Sequence, residues 1–183
     1  MNISATALSG VIVVDTTIVR DERGTFTRLF CANELSAVIG KRRIVQINHS
    51  RTAVPGAVRG LHFQHPPEAE MKLVRCLRGR VLDVAVDLRA GSSSLLGWHA
   101  EELSPGSARM LVIPEGCAHG FQALEPHSEL LYAHTAPYVR EAEDGVRFDD
   151  PLLAIRWPLP IADVSPRDRS FALLRADFPG IAV

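Results

Sequence analysis

The run Arg59-Gly60-Leu61-His62-Phe63-Gln64 sets an imidazole two residues after a glycine and three after a guanidinium. Histidine changes charge near neutrality, so a pocketed imidazole can take a proton from a weak acid. Glycine lets a ligand or a second backbone approach closely, and arginine offers a bidentate clamp for an anion. Lys72 adds a cation, and Tyr132 and Tyr138, the two tyrosines of the chain, add phenols able to return a proton. Base, cation and acid together are the equipment for removing a proton from carbon beside a ketone. Each residue also has an ordinary reading: a hydrogen-bonded strand histidine, a lysine laying its stem along the surface, a pair of rim aromatics.

Such groups act only if strands bring them to one cavity. Runs rich in Val, Ile, Leu and Phe, bounded by Gly, Pro, Asp or Ser, recur at Gly10–Val19, Gly24–Phe30, Ile44–Ser50, Ala57–Gln64, Met71–Leu77, Val81–Leu88, Met110–Ile113, Gly120–Leu124 and Glu129–Thr135. That rhythm predicts an all-β sandwich or barrel with a few short helices. Asn33–Ile39 reads as a helix capped by Asn33, and Ser165-Pro166-Arg167-Asp168 opens another, with Ser165 as cap and Pro166 in the first turn. Alternation puts His62 on one face with Gly60 and Gln64, Lys72 on one face with Val74 and Cys76, and Tyr132 on one face with Leu130 and His134. The acidic Glu143, Asp149 and Asp150 read as a solvated turn before Pro151.

The 183 residues suit one domain, 1–183, and a composition of 46% hydrophobic and 22% charged residues suits a globular protein. A net charge of −1 provides no field for nucleic acid, so an anionic ligand must be held by a local Arg and Lys cluster. Cys31, Cys76 and Cys117 are odd in number and lack metal-site spacing, which predicts free thiols in a cytoplasmic protein. The apolar run Val11–Val14 is too short for a secretory or membrane segment, so no membrane association is expected.

Pro114-Glu115-Gly116-Cys117-Ala118-His119 resembles the second motif of the cupin superfamily, where proline and glycine turn into a histidine-bearing strand. Metal-dependent cupins add His-x-His and a nearby Glu. Here the corresponding stretch is His62-Phe63-Gln64-His65-Pro66-Pro67-Glu68, with Gln64 at the second imidazole position, so no metal is expected.

Taken together, the motifs resemble the dTDP-4-dehydrorhamnose 3,5-epimerase family of nucleotide-sugar enzymes, which have a cupin-type jelly roll. The likeness runs through Asp21-Glu22-Arg23-Gly24-Thr25-Phe26, Gln46-Ile47-Asn48-His49-Ser50, Arg59 to Gln64, Lys72-Leu73-Val74, Asp83 to Arg89, Pro114 to Phe121, Tyr132 with Tyr138, Asp150-Pro151, Trp157-Pro158 and Ser165 to Asp168. It implies cofactor-free epimerisation at C3, C5 or both of a nucleoside-diphosphate 4-keto-6-deoxyhexose, a reaction of deoxysugar and polysaccharide biosynthesis. His62 would be the base, oriented by Asp168. Lys72 would stabilise the enolate, and Tyr132 would return a proton from the opposite side of the ring. The same resemblance puts Arg23, Arg59 and Arg167 near the diphosphate or nucleoside and Gln46 and Asn48 along the ligand. It makes Phe26 and Tyr138 stacking or lining residues, and brings His119 and Glu143 near the sugar or phosphates. It also implies a homodimer in which N-terminal strands carry Arg23 and Phe26 to the neighbouring pocket.

Arg28 departs from the family's glutamate at the nucleobase end. A guanidinium donates where a carboxylate accepts, which points to a nucleotide other than dTDP, with CDP first, unless Arg28 simply pairs with a surface acid. Glu70 and Cys117 replace the usual Gln and Phe and read as drift in the lining. Three alternatives stay open: a single-centre C3 or C5 epimerase, a metal-dependent cupin isomerase or oxygenase, and a non-catalytic sugar-binding cupin.

Overall fold

The computed structural model describes residues 1–183. In chain order the elements are β1 (Asn2–Ala5), β2 (Ile12–Asp15), β3 (Ile18–Asp21), β4 (Gly24–Thr27), α1 (Ser36–Ile39), β5 (Gln46–Thr52), β6 (Val58–Gln64), β7 (Lys72–Arg78), β8 (Val81–Asp87), β9 (Trp98–Leu103), β10 (Arg109–Ile113), β11 (Cys117–Ala123), β12 (Ser128–His134), β13 (Glu143–Gly145) and α2 (Pro166–Ser170). One sheet runs β1-β2-β10-β7-β12-β5 and a second runs β13-β6-β11-β8-β9. Strands β3 and β4 form a separate hairpin. Neighbouring strands pair antiparallel, giving the all-β sandwich that the strand rhythm predicts and the cupin-type jelly roll that the resemblance implies.

Side-chain alternation explains why so many strands read as nearly continuous apolar runs. Val74 and Cys76 on β7, and Leu111 and Ile113 on β10, meet Val81, Ala85, Leu103, Cys117 and Phe121 of the facing sheet. Their neighbours Leu73, Met110 and Val112 point the other way, beneath Leu35 and Ile39 at α1. The second sheet is likewise covered outside, where Leu61, Phe63, Val84 and Val86 pack under Val146, Leu153, Trp157 and Phe178. Both faces of both sheets are therefore dry over much of their area, and each fully buried Leu or Phe contributes about 1.5–3 kcal/mol. No helix is long and apolar enough to cross a membrane.

The structure corrects several boundaries. The first helix begins at Ser36, after Leu35 as N-cap, and has no side-chain cap. The backbone carbonyl of Asn33, not its side chain, accepts from the Ser36 amide and hydroxyl, because complete burial of Leu35 fixes the turn. The run Gly10–Val19 divides into β2 and β3, since Thr16 is tied through amide and hydroxyl to the Ala108 carbonyl before the hairpin leaves the sheet. The second helix is as expected: Ser165 Oγ accepts from the Asp168 amide at 3.0 Å, with Pro166 in the first turn.

Candidate active site

A cavity of about 680 Å³ opens between the sheets, lined from one side by β6 and β11, from the other by β5, β7 and β12, and closed at one edge by α2. Its floor depends on glycine. Gly60 has φ +112°, and a Cβ there would lie 2.6 Å from both Gly120 Cα and the His119 carbonyl oxygen. The two strands come together only because both positions lack side chains.

On this wall His62 Nε2 lies 2.7 Å from Asp168 Oδ1, and the other carboxylate oxygen accepts the Gly60 amide at 3.1 Å. The capped turn of α2 aims Asp168 at the ring, and Phe171 packs edge-on against it at 5.9 Å. Burial pushes the Asp168 carboxyl up, yet the hydrogen bonds from His62 and Gly60 together outweigh it and hold the group below the ordinary carboxylate range. An ionised carboxylate must receive a proton from Nε2, which leaves the lone pair of neutral His62 on Nδ1.

The facing sheet supplies the other groups. Lys72 and Tyr132 sit on adjacent strands, Tyr132 opposite Val74 and Lys72 opposite His134. The Lys72 ammonium is buried and ion-paired with the buried Glu70, whose second oxygen accepts from Gln64 Nε2 at 3.1 Å. The Tyr132 hydroxyl is 2.9 Å from Ser50 Oγ, and burial pushes this phenol well above its ordinary range against the opposing effect of Ser50. Deeper in, His119 Nε2 bonds Asp83 Oδ1 at 2.7 Å. Complete desolvation raises the Asp83 carboxyl against the pull of His119. His134 lies beside Tyr132 with near-parallel rings, and is brought down to about 4 by burial first and then by Lys72 and His119.

At the mouth, Arg167 pairs with Glu143 at 2.7 Å, and Glu143 also accepts from the Tyr138 hydroxyl. Arg59 is exposed and enters no ion pair. Gln46 braces this edge from outside the lining, accepting from the Tyr138 amide and donating to Asn48 Oδ1.

Ten of the expected site residues thus meet in one cavity: His62, Lys72, Tyr132, Asp168, Asn48, Arg59, His119, Tyr138, Glu143 and Arg167. Arg23, Phe26 and Arg28 do not. They lie in or next to the exposed β3–β4 hairpin, where Arg23 pairs with Asp21 and Arg28 with Glu34. Arg28 therefore lies outside the cavity of this chain, its guanidinium occupied by a surface acid.

Sequence reasoning missed Ser50 and His134, which share the cavity face by alternation with Asn48 and Tyr132, and it misread Glu70 as drift although Glu70 is the counter-ion of Lys72. The acidic turn also needs correction. Asp150 is 1% exposed and accepts the amides of Leu152 and Leu174, and Glu143 belongs to β13. His65 turns outward to Asp144, and no group of three or more His, Cys, Asp or Glu side chains is placed to hold a metal ion.

The model of the family described as dTDP-4-dehydrorhamnose 3,5-epimerase matches residues 5–176. The chain belongs to the dTDP-4-dehydrorhamnose 3,5-epimerase family. A dTDP-4-dehydrorhamnose 3,5-epimerase of Sinorhizobium fredii is 44% identical over 75% of this chain and 71% of its own length. A dTDP-4-dehydrorhamnose 3-epimerase of Streptomyces niveus is 39% identical over 84% of this chain and 74% of its own. Among solved structures, the dTDP-6-deoxy-D-glucose-3,5-epimerase of Legionella pneumophila, in complex with dTDP-4-keto-L-rhamnose, superposes with a TM-score of 0.91 at 36% identity, covering 100% of this chain and 98% of that one. Membership in this epimerase family accounts for the jelly roll and for the motifs that converge on the cavity.

Proposed function

We propose that the cavity epimerises a nucleoside-diphosphate 4-keto-6-deoxyhexose at C3, C5 or both, without a cofactor. Inversion requires a base and an acid on opposite sides of a planar enolate, since one group acting alone returns the starting configuration. The observation that carries the reading is that His62, backed by Asp168 of α2, comes from one sheet, while Tyr132 and Lys72 come from the other. His62 Nδ1 removes the proton beside the ketone, Lys72 stabilises the enolate oxygen, and Tyr132 delivers a proton from the far side. Arg59 and Arg167 hold the diphosphate, and Asn48, Tyr138, His119 and Glu143 line the ligand.

We take the nucleotide to be dTDP, the one named for the relatives; the engagement of Arg28 by Glu34 gives the CDP alternative no support within this subunit. Incubating dTDP, CDP and GDP 4-keto-6-deoxy sugars in deuterated water with wild type and His62→Ala tests the whole reading. Deuterium enters at C3 or C5 of the dTDP sugar with wild type and not with the variant; no incorporation from any of them with wild type would refute it. The same spectra separate double from single-centre epimerisation, the second reading, which the Streptomyces niveus 3-epimerase supports.

We further propose one domain spanning 1–183 that acts as a homodimer in the cytoplasm. Val19, Phe26 and Ile47 are more than half exposed on the hairpin and on β5, an apolar surface suited to a second copy, and from there Arg23, Phe26 and Arg28 would reach the partner's cavity. The three free cysteines suit a reducing compartment. Sedimentation equilibrium checks the oligomeric state, with a monomer at micromolar concentration as the contrary result.

A further inference from the structure

Resting on this reading of Tyr132 as the acid, we infer that Ser50 is the residue that makes its proton transfer possible, by donating its hydroxyl to the phenolate that the transfer leaves behind. When Tyr132 protonates the enolate, the phenol O–H bond breaks and the electrons of the enolate C=C form the new C–H bond. The ketone C=O re-forms, and the negative charge ends on the phenol oxygen. That oxygen lies at the edge of the apolar cluster between the sheets, where an anion is costly. Asp83 acts to keep the phenol protonated, whereas Arg59 favours the anion from the open side of the cavity.

The protein offers the Tyr132 hydroxyl a single hydrogen-bond partner, Ser50 Oγ at 2.9 Å. The neighbouring His119 ring meets Tyr132 edge-on and the His134 ring stacks beside it, with His119 Nε2 turned to Asp83 and His134 Nε2 to Asn48. Ser50 has no competing side-chain bond, so its hydroxyl can turn to donate when the phenol gives up its proton. Strand geometry fixes the pair. Ser50 stands opposite Leu130 in the β5–β12 ladder, which makes it the diagonal neighbour of Tyr132 on the same face. Ser50 is a positioning residue that acts through Tyr132.

The reading separates two events at one carbon. The enolate partitions between return of a solvent-derived deuteron by His62, which exchanges without inverting, and delivery by Tyr132, which inverts. Ser50→Ala should lower the ratio of inversion to exchange on a dTDP-4-keto-6-deoxy sugar in deuterated water by roughly 10- to 150-fold, the range for a hydrogen bond to a charged group. Ser50→Gly, which also lacks the hydroxyl, should show the same ratio, and Ser50→Thr should restore it. Adding Ser50→Ala to Tyr132→Phe should lower the ratio no further, because the two residues act as one unit. An unchanged ratio in the Ala and Gly variants, with both rates falling together or neither falling, overturns the inference. Absence of exchange with wild type would instead refute the proposed function, so the two failures are distinguishable.

Discussion

Asp168→Asn probes the charge behind the base with almost no change of shape. Each Asp168 oxygen accepts one hydrogen bond, from His62 Nε2 at 2.7 Å and from the Gly60 amide at 3.1 Å. A carboxamide has one accepting oxygen. The Gly60 amide can only donate, so the oxygen of Asn must face it, and the NH2 group then faces His62. Nε2 becomes the acceptor, the ring proton moves to Nδ1, and the lone pair is lost from the nitrogen that should take the substrate proton. The variant also loses a charge-assisted bond to the imidazolium, worth about 1.5–3 kcal/mol, so exchange should slow at least roughly 10- to 150-fold. The assay is the initial rate of deuterium incorporation beside the ketone, with folding checked by circular dichroism. A folded Asp168→Asn enzyme exchanging at the wild-type rate would refute both the tautomer assignment and the base.

Gly60→Ala forces a Cβ to within 2.6 Å of Gly120 Cα and the His119 carbonyl at a positive φ, so thermal denaturation should show a loss of at least about 1–3 kcal/mol; an unchanged melting temperature would contradict the close packing of β6 on β11. Glu70→Ala leaves the Lys72 ammonium buried without its counter-ion and should cost about 3–5 kcal/mol in urea denaturation, whereas a loss below about 1 kcal/mol would mark the pair as solvated. His134, neutral in the fold and brought down to about 4, binds its proton more weakly folded than unfolded, so its contribution to stability is complete above about pH 6.5 and is lost as the pH falls toward 4. A ring resonance of His134 titrating near pH 6.5 would contradict this. The Asp168 carboxyl is depressed, so its contribution is present above the ordinary carboxylate range and is lost as the pH falls through the folded value; Asp168→Asn should reduce the acid sensitivity of unfolding, and an identical acid limb in both proteins would refute that.

Most of the strands legible in the sequence are buried on one or both faces, because burial writes itself as Val, Leu and Ile; β4 and most of β5, also legible, are exposed. Strands β1, β9 and β13 escaped notice, and each is the edge of its sheet. Trp98–Leu103 carries His99, Glu101 and Glu102, and Glu143–Gly145 is mostly acidic, so neither resembles a core strand. Alternation along β6, β7 and β12 set His62, Lys72 and Tyr132 on the proper faces, but alternation is silent about pairing between strands. The bonds Tyr132–Ser50 and His119–Asp83 arise from cross-strand register and had no local signature. Glu70 was misread for a related reason. Its meaning comes from the ammonium and the Gln64 amide that converge on it, both donors, each met by one oxygen of the carboxylate.

One arrangement recurs around the cavity: a cationic or imidazole group faces it, with a carboxylate attached behind. His62 has Asp168, Lys72 has Glu70, His119 has Asp83 and Arg167 has Glu143. The first three carboxylates are almost completely buried, where an isolated charge would be prohibitively costly, so each holds its partner in place while the partner keeps it tolerable. The arrangement aims donors into the cavity without building up net positive charge there. Arg59 is the exception, exposed and unpaired, and in the proposed reaction it would be the first contact for the diphosphate. Arg167 could add a second guanidinium by exchanging Glu143 for the ligand, and that exchange at the mouth is easier than at the interior pairs because Arg167 is half exposed. On the proposed reading, anion capture and proton transfer would thus rest on different parts of one pocket, a rearrangeable rim and a rigid interior.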